Sequence, residues 1–211
     1  DLTNGNMIQL LVQALTLRAL HYIDLINMWG DVPARLTSLN ADNMYSGRED
    51  RDVIYKQLII DLQEAQDLCA WPNEIDATKT VERVNKVFVK GLLARVCLQA
   101  SGYAQRLHGE NSLTTYPELS KEHLYPIALQ ACKDVMEQEG TYVALKSNFE
   151  DIFNNNGISG DVINAGSESL FEIGYINNPA RGRIIYSFCI KTTTSDNITT
   201  YLPASKVAPT A

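Results

Sequence analysis

The sequence predicts a mainly α-helical chain. Helical hairpins fill residues 1–140, and an irregular segment of loops and short strands, 141–211, opens a second and incomplete subdomain. Three observations carry that prediction. Apolar residues recur at three- and four-residue spacing in four long stretches, the period of a helix with one buried face. Turn formers separate those stretches at Gly30, at Trp71-Pro72-Asn73, between Gly109 and Pro117, and at Gly140. Beyond Gly140 the helical period stops, and short apolar runs alternate with Asn- and Gly-rich loops.

In the first helix, at about 100° per residue, Gln9, Gln13, Thr16, Asp24 and Asn27 fall on one narrow stripe. Leu10, Leu11, Leu15, Leu17, Ile26 and Met28 lie around the remainder, so the pattern predicts a thin solvated edge and a largely buried circumference. The stretch 7–29 is no membrane span, because Arg18, His21 and Asp24 interrupt it. Gly30 stops the helix, and Asp31-Val32-Pro33 extends the chain, since a residue before proline avoids the helical region. Ser46-Gly47-Arg48-Glu49 has the spacing of a capping box and predicts the start of the second helix. Ile54, Leu58, Leu62 and Ala65 then follow at helical spacing.

A third helix is expected over about 85–104, with Phe88, Leu92, Val96 and Ala100 as its apolar line. Residues 107–121 read as a turn-rich insertion, and a fourth helix over about 121–139 turns Ile127, Ala131 and Val135 inward. Tyr125, Ala128, Ala131 and Val135 resemble the second helix of a tetratricopeptide hairpin. The element lengths depart from a strict repeat of about 34 residues, so the repeat is degenerate. Residues 186–190 are expected as a short strand, followed by a Thr-rich loop.

Composition narrows the function. The chain has 211 residues, 45% of them hydrophobic and 20% charged, with a net charge of −7, which fits a globular protein. That diffuse acidic balance argues against nucleic acid, which rewards clustered Lys and Arg. Cys69, Cys97, Cys132 and Cys189 are widely spaced without a Cys-x-x-Cys pair, so no zinc site or other cofactor is expected. Three of the four fall within helical apolar patterns, where a free Cys reads as a small buried hydrophobe.

No Gly-x-Ser-x-Gly turn or Gly-rich phosphate loop is present, and His21, His108 and His123 have no motif around them. Asp151 and Glu172 are the acids to consider for glycoside hydrolysis, and each reads as an ordinary loop or strand-edge acid. The chain is therefore expected not to be an enzyme. Arg18 lies opposite the polar stripe of its helix, which predicts a partly buried guanidinium paired with a nearby acid, Asp31 or Asp61. For sugar binding, the useful groups are exposed aromatic faces flanked by hydrogen-bonding side chains. Tyr45, Trp71, Tyr103 and Tyr116 fall outside the expected core faces and are the candidates, Trp71 first.

Four segments together resemble one family. Arg18-Ala19-Leu20-His21-Tyr22 through Gly30-Asp31-Val32-Pro33 is similar to an R-A-x-x-Y helix with a G-D-V-P exit. Tyr55, Leu58, Asp61-Leu62 and Ala65 follow a second helical signature. Arg83-Val84-Asn85-Lys86 with Leu92-Leu93-Ala94-Arg95-Val96 follows a third. Phe149-Glu150-Asp151-Ile152-Phe153 with Glu168-Ser169-Leu170-Phe171-Glu172-Ile173 resembles the fourth. The family is the SusD/RagB group of nutrient-binding outer-membrane lipoproteins.

The resemblance implies a scaffold of degenerate tetratricopeptide-like hairpins with the ligand site in irregular insertions. It also implies non-catalytic oligosaccharide capture at the bacterial surface for a SusC-like TonB-dependent transporter. Membrane contact would come only through a lipid anchor, whose Cys and signal peptide this sequence lacks, and the C-terminal half of a typical member is expected to be missing. The matched motifs are scaffold, so the resemblance transfers no ligand residue. A helical scaffold for peptides or another nutrient is the competing reading.

Overall fold

Four helices make up most of the regular structure in the computed structural model: α1 (Gly5–Trp29), α2 (Arg51–Leu68), α3 (Lys86–Ala100) and α4 (Lys121–Met136). The described residues are 5–41, 43–106, 109, 111–149 and 164–173. Each helix packs against the next in chain order, α1 on α2, α2 on α3 and α3 on α4. This is the mainly helical, hairpin-built scaffold that the apolar spacing predicts.

Helix α1 buries Val12, Ala19, Ile23 and Ile26, but only part of its polar stripe faces water as the spacing predicts, with Asp24 and Asn27 exposed. Thr16 is fully buried and Gln9 nearly so, whereas Leu10, Met28 and Trp29 are 60, 70 and 66% exposed. The Thr16 hydroxyl donates to the Val12 carbonyl at 2.7 Å, so burying it leaves no polar group unsatisfied. With α2 and α3 as its helical neighbours, α1 keeps an apolar outer face on the surface.

Helix α2 starts later than its apparent capping box. Asp50 is the N-cap, and its carboxylate accepts from the Asp52 amide at 2.9 Å. Ser46 does not cap because the amide its hydroxyl would satisfy is claimed elsewhere: the Glu49 amide donates to the Val32 carbonyl at 3.1 Å. Ile54, Leu58, Leu62 and Ala65 are buried along α2 as their spacing predicts, each of the larger three contributing about 1.5–3 kcal/mol.

Helix α3 is capped by Asn85, whose side chain accepts from the Phe88 amide at 3.1 Å. It ends at Ala100, earlier than the expected 104, where the Ser101 hydroxyl donates back to the Cys97 carbonyl at 2.9 Å. The insertion that follows holds a two-stranded hairpin, β1 (Ala104–Gln105) paired antiparallel with β2 (Asn111–Ser112), and a 3-10 turn at Pro117–Leu119. Helix α4 buries Leu124, Ala128 and Ala131, while Ile127 and Val135 are half-buried. Cys69 and Cys97 are buried, but Cys132 is exposed, contrary to its apolar setting in the sequence.

Residues 164–172 return to the helices. The Ala165 and Glu172 amides donate to the Lys79 and Val81 carbonyls, each at 2.9 Å. Phe171 stacks on Phe88 with ring centroids 4.3 Å apart. The chain divides into units Asp1–Glu172 and Ile173–Ala211. The expected strand at 186–190 and Cys189 lie outside the described residues.

Candidate functional site

The chain leaves α1 through Trp29-Gly30-Asp31. Gly30 adopts φ 75°, a left-handed conformation that other residues adopt only with strain. A Cβ there would also lie 2.8 Å from Arg51 Nη2. The reversal brings the buried Asp31 carboxylate to the start of α2. Its Oδ1 accepts from the Arg51 amide at 3.2 Å and from Arg51 Nε at 2.7 Å. Arg51 Nη2 then donates to the Gln105 carbonyl at 2.7 Å.

A second arginine locks the same hairpin. Arg106 Nε and Nη2 donate to the two oxygens of Asp52 at 2.9 and 3.0 Å, and Nη1 donates to the Ser112 carbonyl. Asp52 is only 1% exposed, and such two-pronged contacts fix a guanidinium in plane and direction. Tyr55, buried nearby on α2, has its phenol pushed up by burial, an effect larger than the opposing pull of Arg51. It therefore remains a neutral hydroxyl at physiological pH.

These contacts frame an open cleft of about 480 Å³ lined by Asn27, Trp29, Arg48, Arg51, Gln105 and Arg106 together with Ile26, Gly30 and Asp31. The size falls within the range of small-molecule sites. Trp29 is 66% exposed. Arg48 makes no ion pair among the described residues. An open indole face beside fixed guanidinium and amide donors is the equipment for a sugar ring, with an apolar face to stack and hydroxyls to hydrogen-bond. A second groove of about 370 Å³, between Leu20, Phe88, Leu92 and Phe171, has Arg95 as its one charged lining residue among the described residues.

None of the four sequence-predicted aromatics lines the cleft. Trp71 is half-buried, with its ring stacked on Tyr142 (centroids 5.4 Å apart, planes within 6°) and Lys86 Nζ 5.4 Å from its centre. Tyr116 packs against the core under Lys56, whose Nζ is 3.9 Å from the ring centre. Tyr45 and Tyr103 are open to solvent, 91 and 72% exposed. Arg18 pairs with Asp61 at 2.6 Å and donates to the Leu36 carbonyl at 3.1 Å. The other acid named for it, Asp31, holds Arg51 instead.

His21 and His123 are exposed, whereas His108 and Asp151 lie outside the described residues. Glu172 accepts from the Ser169 hydroxyl at 2.6 Å. Among the described residues no group of three His, Cys, Asp or Glu side chains is placed to hold a metal ion. No described helix is long and apolar enough to cross a membrane. The sequence signal for the cleft was Trp29 itself. It sits one residue before the helix stop, where an aromatic leaves the helix pair rather than entering it.

Residues 2–98 match the SusD-like family described as starch-binding and associating with the outer membrane. This stretch of the chain is similar to the SusD-like family. The fold of the chain matches a SusD superfamily protein from Bacteroides fragilis NCTC 9343 with a TM-score of 0.59 at 19% identity, covering 89% of this chain and 34% of that one. A SusD-like protein from the same organism matches with a TM-score of 0.57 at 13% identity, over 89% of this chain and 31% of that one. No functionally curated protein matches. The resemblance to the SusD/RagB family thus joins a family match over the first two helices and most of α3 to a similar fold. The chain spans about a third of the length of the SusD structures it matches.

Proposed function

We propose that this SusD-like chain captures oligosaccharides at the bacterial outer membrane without breaking a bond, and that the Trp29 cleft is a point of capture. The observation that carries this reading is the exposed indole of Trp29 beside an arginine array fixed by Asp31 and Asp52. Such an array is preorganised, so a ligand does not have to order the donors on binding. The family's description as starch-binding and outer-membrane-associated points the same way. The captured glycan would pass to a SusC-like TonB-dependent transporter, with the protein held at the surface by a lipid anchor.

Calorimetry of the full chain against a panel of neutral and acidic oligosaccharides tests the binding. Chromatography of the mixtures tests for turnover. Saccharide binding with unchanged oligosaccharide lengths is the expected result. Tight binding of peptides with no saccharide bound would replace the proposal with the peptide-scaffold reading, and shortened oligosaccharides would make the chain a hydrolase. Co-purification of a TonB-dependent transporter with the tagged protein from outer membranes tests the partnership.

A further inference from the structure

We infer that the Trp29 cleft is selective for acidic oligosaccharides, those carrying a carboxylate on the sugar ring; this rests on the capture reading above. The inference comes from the charge of the cleft against the charge of the chain. The chain as a whole carries −7, yet three guanidiniums, Arg48, Arg51 and Arg106, converge on this one opening. The two acids that answer them, Asp31 and Asp52, are 6 and 1% exposed and bound to Arg51 and Arg106. Arg48 remains exposed with no acid of its own among the described residues.

Its acidic sequence neighbours make no ion pair with it among the described residues. Glu49 and Asp50 are not part of the cleft lining. Glu49 accepts from the Asp50 amide at 3.3 Å, and Asp50 caps α2. The lining thus carries a positive surplus, three guanidiniums against the one carboxylate of Asp31, in the same cleft as Trp29. A neutral sugar needs hydroxyl partners and no net charge. A free guanidinium beside a stacking face instead suits a sugar carboxylate, because the planar fork matches two carboxylate oxygens. The distant acids of the chain do not cancel this, since exposed charges beyond about 8–10 Å are largely screened at physiological salt.

The test pairs one glycan with its uncharged twin: tetragalacturonate, its fully methyl-esterified form, and maltotetraose, each titrated into the full chain by calorimetry. The acid should bind at least about tenfold more tightly than its ester, and this advantage should shrink as salt rises from about 0.01 M to about 1 M. Arg48→Gln should bring the acid down to the affinity of the ester. Thermal unfolding checks that this exposed-site variant is folded.

Equal affinity for acid and ester, with binding of either lost in Trp29→Ala, would overturn the acidic selectivity and leave saccharide capture standing. Tighter maltotetraose binding would do the same. No saccharide bound at all would overturn both. An acid preference that survives Arg48→Gln would remove this cleft as its source and so defeat the inference.

Discussion

At the residue scale, one backbone position sets the form of the cleft. Gly30 shapes it twice over, through its φ of 75° and through the 2.8 Å that a Cβ would leave to Arg51 Nη2. Gly30→Ala should cost about 1–3 kcal/mol in urea unfolding and should weaken saccharide binding by displacing Arg51. A variant as stable as the parent would contradict that account of the turn. Arg18 and Asp61 form a different kind of pair, remote from the cleft lining. Asp61 is 3% exposed at its side chain, and Gln57 donates to its other oxygen at 2.8 Å. Arg18→Ala should therefore cost about 3 kcal/mol, the low end for breaking a buried pair, because Gln57 still satisfies part of the stranded carboxylate. The double change Arg18→Leu with Asp61→Leu should recover most of that loss, and no recovery would argue that the pair is more than architectural.

At the scale of elements, α3 and α4 are joined by an ion pair as well as by their apolar faces. Lys90 Nζ lies 2.6 Å from Asp134 Oδ2 and donates to Gln66 Oε1 at 3.2 Å. The Lys90 hydrogen bond holds the Asp134 carboxyl below its usual range, against a smaller opposing effect of desolvation. A carboxyl depressed in the folded state stabilises fully above its unfolded value, near 3.8. That contribution is lost as pH falls through the lower folded value. Asp134→Asn should thus be less stable than the parent by under about 1 kcal/mol at neutral pH, and the difference should close below about pH 4. A gap that stays constant from pH 7 to pH 3 would show that the pair contributes nothing through charge.

Most of these elements were legible in the sequence, because apolar spacing reports which helices exist and which side of α2 and α3 is buried. The start of α2 was not. The box at Ser46 lost to a backbone bond between Glu49 and Val32, a long-range partner that local spacing cannot register. The N-terminal half of the α1 stripe was misread because polarity was taken for exposure, while Thr16 satisfies itself within the helix.

At the scale of the whole molecule, the frame was readable and the cleft was not, for a physical reason. Trp29, Arg48, Arg51 and Arg106 meet only because Gly30 reverses the chain and the β1–β2 hairpin is bound back to α2, with Arg106 and Asp52 54 residues apart. The aromatics favoured from loop position instead include Trp71, whose ring is taken up by Tyr142, and Tyr116, which is packed under Lys56. Thiol chemistry gives an independent check on the fold. Burial pushes Cys69 and Cys97 up to about 12, leaving about one thiolate in ten thousand at pH 8, whereas Cys132 is exposed. In a Cys189→Ser background, an aromatic disulfide reagent should modify one thiol in the native chain and three after unfolding. Rapid native modification of Cys97 would contradict the α3 core.

The most direct test of the central claim is the calorimetric affinity of the best-bound oligosaccharide for the parent chain, Trp29→Ala and Trp71→Ala. Trp29 is 66% exposed, so its loss should leave the fold intact while weakening binding by about tenfold or more, as for an aromatic anchor. Trp71→Ala should leave affinity within about twofold once stability is matched. Undiminished binding by a folded Trp29→Ala chain would contradict the account and move the site away from this cleft.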